Sequence, residues 1–282
     1  MTDYLKYAVD QAKEIYRQKV GTGDLTTENL FPYPRYLEGK ITVTDNFPGI
    51  VFPFIDTLLK TGDSSVSVHS HVKNGSINSK GDVIAVVEGN GRAILTGLHV
   101  AQVIVSLISQ VHDRTRLAVK KMENSGIGIL HSLNLPSGWE RLIQFAVKCA
   151  GGETIGSSLD EIIYLSKDHF SWAGSIPKAI NQTLEEVGEK RGLIKVVVEI
   201  DSPWQIKELV DIKIDYVYGK NFSVENVAEA YEITRRRMEL IIDETIPIEE
   251  AKNLKGQGVR LYMVDVIKDI KNIELLSLEI TS

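Results

Sequence analysis

The sequence predicts an α+β N-terminal domain, barrel-sandwich-like, followed by an incomplete α/β barrel of about six parallel strands. Residues 40–97 alternate or run β-branched (ITVTDN, SVSVHSHV, DVIAVVEGN) and are punctuated by Asn, Gly, Ser and Asp, as in a small β domain. Residues 96–124 form one long helical stretch whose first half is apolar nearly all round, the mark of a central buried helix. After Gly126, short apolar runs alternate with helical segments, which means a parallel sheet. The domains expected are 1–112 and 113–267, with the tail 268–282 returning to the first.

The elements follow in order. Leu5, Ala8, Val9, Ala12, Ile15 and Tyr16 have helical spacing, so 3–19 is a helix with one buried stripe. Gly21 to Asp24 ends it, and GDLTT reads as a turn with an Asp or Thr cap. Phe54 to Lys60 is a short helix across the β domain, and Asn74 to Asp82 is a turn cluster. His69 and His71 share one face of a strand. Without a third ligand nearby they read as a surface pair rather than a metal site. The barrel strands are expected at 127–132, 161–166, 193–201, 215–219, 238–243 and 259–265. The helices between them fall at 137–149, 176–190, 203–211, 223–234 and 247–255, with a loop carrying Asp168 and His169. Six strands fall short of the eight of a complete barrel.

Composition narrows the function classes. With 38 acidic and 32 basic residues, a net charge of −6 gives no reason to expect nucleic acid or an anionic membrane as partner. The longest apolar runs, such as Val103 to Ile108, are far too short to span a bilayer. The amphipathic, acid-containing N-terminus is not a secretory signal. One cysteine, Cys149, fits a reducing compartment, so a cytoplasmic protein is expected.

Polar groups gather at strand ends, where barrels place their chemistry. They are His131 and Ser132, Asp168 and His169, Glu199 and Asp201, Lys220 and Asn221, Asp243 and Glu244, and Asp265. Glu199 lies inside an apolar run and needs a partner, either a structural ion pair or a ligand. No G-x-G-x-x-G follows a strand and no P-loop is present. The last two strands end in acids, which repel a phosphate dianion. Arg235 to Arg237 sit at the end of an expected helix, where they complement its dipole.

Helix, GDLTT (23–27), a β domain with GRAILTG (91–97), a long helix, and then a partial barrel with FAVKCAGG (145–152) resemble the quinolinate phosphoribosyltransferase family. These are the carboxylating nicotinate-nucleotide pyrophosphorylases. Ile163 to His169 also resembles the molybdenum-transport-associated branch. The resemblance implies condensation of a pyridine dicarboxylate with phosphoribosyl pyrophosphate, magnesium, and a dimer in which each site borrows an arginine. Carried over position by position, that arginine falls on His99. The T-R-K-T run falls on Ser132, Leu133, Asn134 and Leu135, and the His-Arg pair on Ile155 and Gly156. The lysine of K-D-N-H falls on Ser166, followed by Lys167, Asp168 and the retained His169. Glu199 is retained, while the acid of L-D-N becomes Lys220 before the retained Asn221. The S-G-G phosphate loop becomes Asp243, Glu244 and Thr245, and the last strand's glycine becomes Asp265.

The candidate catalytic groups are therefore His169 and Glu199. The candidate substrate-binding residues are His99, Ser132, Asn134, Lys167, Lys220 and Asn221, with no metal ligand assigned. The function expected is a family scaffold that is catalytically degenerate or has an altered substrate. The alternatives are an active phosphoribosyltransferase of NAD biosynthesis, which alone would call for Mg2+, or a non-catalytic partner subunit. A homodimer or a pairing with a related active subunit is expected, with a small-molecule ligand and neither nucleic acid nor membrane.

Overall fold

The structure, a computed structural model, describes residues 2–72, 77–156, 158–188, 192, 194–234 and 239–281. In chain order the helices are α1 (Thr2–Val20), α2 (Leu25–Leu30), α3 (Phe52–Gly62), α4 (Gly91–Lys121), α5 (Glu140–Cys149), α6 (Lys167–Ala173), α7 (Ile176–Val187), α8 (Val224–Thr234) and α9 (Ile248–Ala251). The strands are β1 (Tyr36–Val43), β2 (Phe47–Pro48), β3 (Ser67–Ser70), β4 (Ile77–Asn78), β5 (Val83–Asn90), β6 (Gly128–His131), β7 (Ile162–Leu165), β8 (Lys195–Ile200), β9 (Tyr216–Gly219), β10 (Glu239–Asp243), β11 (Val259–Val264) and β12 (Leu276–Ile280). Two compact units result: Met1–Arg114 with Pro136–Ala150 and Ile267–Ser282, and Thr115–Leu135 with Gly151–Val266.

The first unit carries an antiparallel sheet of order β12-β1-β5-β3 and a small β2-β4 pair. Alternation in β1 buries Leu37 and Ile41 and exposes Glu38 and Lys40, so one face seals a core. The tail does return: β12 pairs with β1 from Gly39↔Ile280 to Val43↔Leu276. The segment Pro136–Ala150, expected with the barrel, belongs to this unit instead. Its helix α5 packs on α1. Gln11 of α1 accepts the Leu142 backbone N–H at 3.0 Å, capping a helix whose own N-cap residue, Trp139, offers no side-chain bond. Arg141 stacks on Tyr7, and the Phe145 ring meets the edge of Phe54 at 5.4 Å.

Helix α4 begins five residues before the expected 96–124 span, because Asn90 accepts the Arg92 N–H at 3.1 Å and starts the helix there. It ends near Asn124, whose φ of 65° is left-handed. Gly97 allows close approach to α3: a Cβ there would lie 2.8 Å from Leu59 Cα. Although its apolar runs are short, α4 as a whole is long and apolar enough to cross a bilayer, but 56% of its apolar window is buried inside the protein.

One stripe of α4 is polar, at i, i+4 spacing: Gln102, Ser106, Gln110 and Arg114. All four bind the backbone of the returning tail. Arg114 donates to Lys268 O at 2.7 Å and Gln110 to Lys271 O at 2.6 Å. Gln110 also accepts the Lys271 N–H at 3.0 Å. Ser106 donates to Lys271 O at 3.1 Å and accepts the Ile273 N–H at 3.0 Å. Gln102 donates to Ile273 O and accepts the Leu276 N–H at 2.9 Å. Side chains thus satisfy a strap that has no strand partner until β12.

GDLTT forms α2, a short helix where only a turn was expected. Asp24 is its N-cap, accepting from the Thr26 and Thr27 N–H groups and from Thr27 Oγ1 at 2.6 Å. It also accepts from Thr96 Oγ1 of α4 at 2.8 Å. His69 lies 3.0 Å from Ser67 Oγ and 3.7 Å from Glu88. Part of the Asn74 to Asp82 turn cluster and the whole of Arg235 to Arg237 lie outside the described residues.

The second unit is a six-stranded, all-parallel sheet of order β6-β11-β10-β9-β8-β7, open between its end strands. Its interior is filled by Leu130, Val197, Tyr218, Ile241 and Leu261. Asp168 and His169 stand in helix α6 rather than in the expected loop. The expected 203–211 helix is a 3-10 turn, Pro203–Glu208.

Hydrogen bonds, led by that from Thr27, hold the Asp24 carboxyl below its ordinary pKa. Its stabilisation is therefore complete above about pH 4 and is lost as pH falls through the lowered value. Asp24→Ala should cost about 1–2 kcal/mol by urea unfolding at neutral pH and remove that acid-dependent component. Ser106→Ala should cost about 1–3 kcal/mol and speed hydrogen exchange at the Ile273 amide.

Candidate functional site

Inward-facing strand positions recur every two residues. Two steps beyond Val197 and Ile241 the inward positions are Glu199 and Asp243, so the apolar interior gives way to carboxylates at the strand C-termini. Each carboxylate is held by a tyrosine and by a residue following β9. Tyr164 donates its hydroxyl to Glu199 Oε2, and Lys220 Nζ lies 3.0 Å from Glu199 Oε1. Tyr218 donates to Asp243 Oδ2 at 2.6 Å, and the Thr245 N–H to Asp243 Oδ1 at 2.9 Å. Asn221 approaches the same group, with its N–H 3.5 Å from Oδ2. Glu244 accepts the Asp265 N–H at 2.9 Å.

Burial, and then the neighbouring carboxylate, pushes both Tyr164 and Tyr218 far above the ordinary phenol range, so they remain neutral donors. Burial alone would raise Asp243. Hydrogen bonds from Thr245, Tyr218 and the Asn221 N–H outweigh it and leave the carboxyl below its usual value.

Of the sequence-derived candidates, the structure brings together Glu199 with Lys220, and Asn221 with the Asp243–Thr245 corner. His169 is engaged locally: its Nδ1 accepts the Ser166 N–H at 3.1 Å and lies 2.9 Å from Ser166 Oγ, a capping box at the start of α6. Lys167 is exposed and 4.0 Å from Asp201. Ser132 is tied through its N–H to Val264 O at 3.1 Å, and its Oγ accepts the N–H of exposed Asn134 at 3.3 Å. His131 is fully buried, with Nδ1 2.6 Å from Ser132 O. His99 belongs to the first unit, where it lines a cleft of about 720 Å3 with Asp24 and Thr27. The tyrosines Tyr164 and Tyr218 are site residues that motif matching missed. Their i+2 phase with Ile162 and Tyr216 is the signal that marks them as inward-facing.

The positions on which the resemblance places the family's cations are engaged as follows. Leu133 and Ile155 pack against the apolar barrel interior. Gly156 has a φ of 138°, and a Cβ there would lie 2.9 Å from Ile162 Cβ, so no side chain fits without the backbone moving. Ser166 caps α6. A magnesium ion, which the resemblance implies, does not suit the residues present. The ammonium of Lys220 occupies one side of Glu199, and both Asp243 oxygens are taken by protein donors. Among the described residues no group of three His, Cys, Asp or Glu is arranged to hold a metal ion.

An open parallel half-barrel with polar strand ends, joined to an antiparallel N-terminal domain, defines a class of phosphoribosyltransferase-like folds. The profile of the quinolinate phosphoribosyl transferase C-terminal domain matches residues 111–275, and the chain belongs to that family. A probable carboxylating nicotinate-nucleotide pyrophosphorylase of Bacillus subtilis is 24% identical over 273 residues, spanning 94% of this chain and 91% of its own length. One from Methanothermobacter thermautotrophicus is 23% identical, spanning 90% and 89%. In fold, the nicotinate-nucleotide pyrophosphorylase structure from Ehrlichia chaffeensis superimposes with a TM-score of 0.80 at 20% identity, covering 95% of this chain and 97% of that one. The Francisella tularensis structure gives 0.78 at 20% identity, covering 100% and 97%.

Tyr218→Phe removes the hydroxyl that Asp243 relies on. The Asp243 carboxyl should titrate at higher pH, read by carboxyl carbon NMR. Neutral-pH stability should fall by about 1.5–3 kcal/mol, since a bond to a charged acceptor is lost.

Proposed function

We propose that this chain has kept the family scaffold and given up phosphoribosyl transfer, acting as a homodimer or beside a related active subunit in the cytoplasm. The single observation that carries this is the chemistry of the strand ends. Three acids, Asp243, Glu244 and Asp265, stand where the resemblance places a phosphate loop and a glycine, and Leu133, Asn134, Ile155, Gly156 and Ser166 stand where it places cations for a polyanionic substrate pair. Lys220, the cation next to Glu199, is paired with it.

Magnitudes favour loss of the reaction. Each charge-assisted hydrogen bond to a substrate anion is worth about 1.5–3 kcal/mol. Losing four or five removes on the order of 6–15 kcal/mol by simple addition, which neighbouring groups will not obey. Half of that is still roughly two to five decades in rate. Residues such as His169, Ser132 and Asn134 remain candidate ligand contacts on this proposal, and Glu199 is paired with Lys220 at the strand ends. That pair favours one second reading, an altered substrate that is neutral or weakly charged.

Carbon dioxide and pyrophosphate release from quinolinate, phosphoribosyl pyrophosphate and Mg2+, measured at high protein concentration, should stay at background. Turnover at ordinary enzyme rates would overturn the proposal. Under the second reading the same assay is silent, but a thermal-shift screen of pyridine acids, oxyanions and metals raises the melting temperature with a hit that Lys220→Ala abolishes.

A further inference from the structure

The first unit contains a cavity of about 140 Å3 beside the start of α4, lined by Phe31, Arg35, Leu37, Arg92, Leu95 and Ile280, among others. Four of these walls are apolar and two are guanidinium-bearing. Arg92 uses Nε to bond Phe31 O at 2.6 Å, and its Nη2 is buried with no hydrogen-bond partner. Arg35 lies with its guanidinium carbon 5.9 Å from the Phe31 ring centroid. Neither arginine has a carboxylate partner among the described residues. Glu88, on the neighbouring strand, is held by the Tyr36 hydroxyl at 2.9 Å and lies 3.7 Å from His69.

A buried guanidinium N–H without an acceptor carries an unrecovered desolvation cost. An anion supplies that acceptor, and the planar fork of Arg matches a carboxylate. The small volume and apolar walls select against a bulky or multiply charged occupant.

We propose that this cavity binds a small organic monocarboxylate, with the carboxylate on Arg35 and Arg92 and the hydrocarbon against Phe31, Leu37, Leu95 and Ile280. All of these residues belong to the first unit, and the proposal uses none of the strand-end residues.

The test is an NMR titration of the full chain with sodium benzoate, reading the Arg92 Nε–Hε resonance, with neutral benzamide and inorganic phosphate as parallel arms. Benzoate should shift that resonance saturably, while benzamide and phosphate at equal concentration should leave it in place. Arg35→Gln, an exposed and structurally mild change, should weaken benzoate by about tenfold or more. Arg92→Gln should abolish binding, but it also removes the bond to Phe31, so Arg35→Gln carries the decision. Lys220→Ala should bind benzoate like the parent. Equal shifts from benzamide or phosphate, an unchanged affinity in Arg35→Gln, or loss of binding in Lys220→Ala would each sink the proposal.

Discussion

The first unit depends on how α4 spends its surface. A helix that is buried on several sides has one stripe left for polar groups, and here that stripe binds another segment rather than water. Gln102, Ser106, Gln110 and Arg114 hold the tail Lys268 to Leu276 through its backbone. The strap has no strand neighbour until β12, so its backbone groups would otherwise compete for solvent. Holding the strap delivers β12 to β1, and β1 joins β5 and β3 into the sheet that seals the N-terminal core. A row of four side chains at one helical spacing therefore fixes the sheet's first strand and, with it, the tail that returns from the second unit.

In the second unit the governing rule is alternation. One inward residue in every two fills the half-barrel with Leu130, Val197, Ile241 and Leu261, and the next inward step exposes Glu199 and Asp243 at the strand ends. Low-dielectric surroundings make unpaired carboxylates costly there. Tyr164 and Tyr218 supply neutral hydroxyls to them, and Lys220 supplies a charge to one. The acids are consequently satisfied by protein groups. The hydrogen bonds satisfy both carboxylates, but only Glu199 is matched by a cation.

Much of the architecture was legible in the sequence because period and composition change sharply along it. All six barrel strands fall on their apolar runs, and the tail packs where its IELLSLEI run suggests. The missed features have local physical causes. Helix α6 is short and begins with a Ser166–His169 capping box, which periodicity over seven residues does not reveal. Helix α5 joins the first unit through Gln11 and Phe54, long-range partners that no window along the chain contains. At the site, Glu199 and Lys220 were found as types at strand ends, but their pairing needs the register of β8 on β9, where Glu199 faces Tyr218. The tyrosines were hidden because an aromatic in a strand looks like core, and here it is core that also donates a hydrogen bond.

Gly156 limits what this turn can be made to carry. Its φ of 138° belongs to a backbone that side chains rarely adopt, and Ile162 fills the space a Cβ would enter. The neighbouring Ile155 is already committed to the interior. A basic residue introduced at position 156 would need the turn and the side chain packed against it to change together, so a substitution at that position alone does not make the turn cationic.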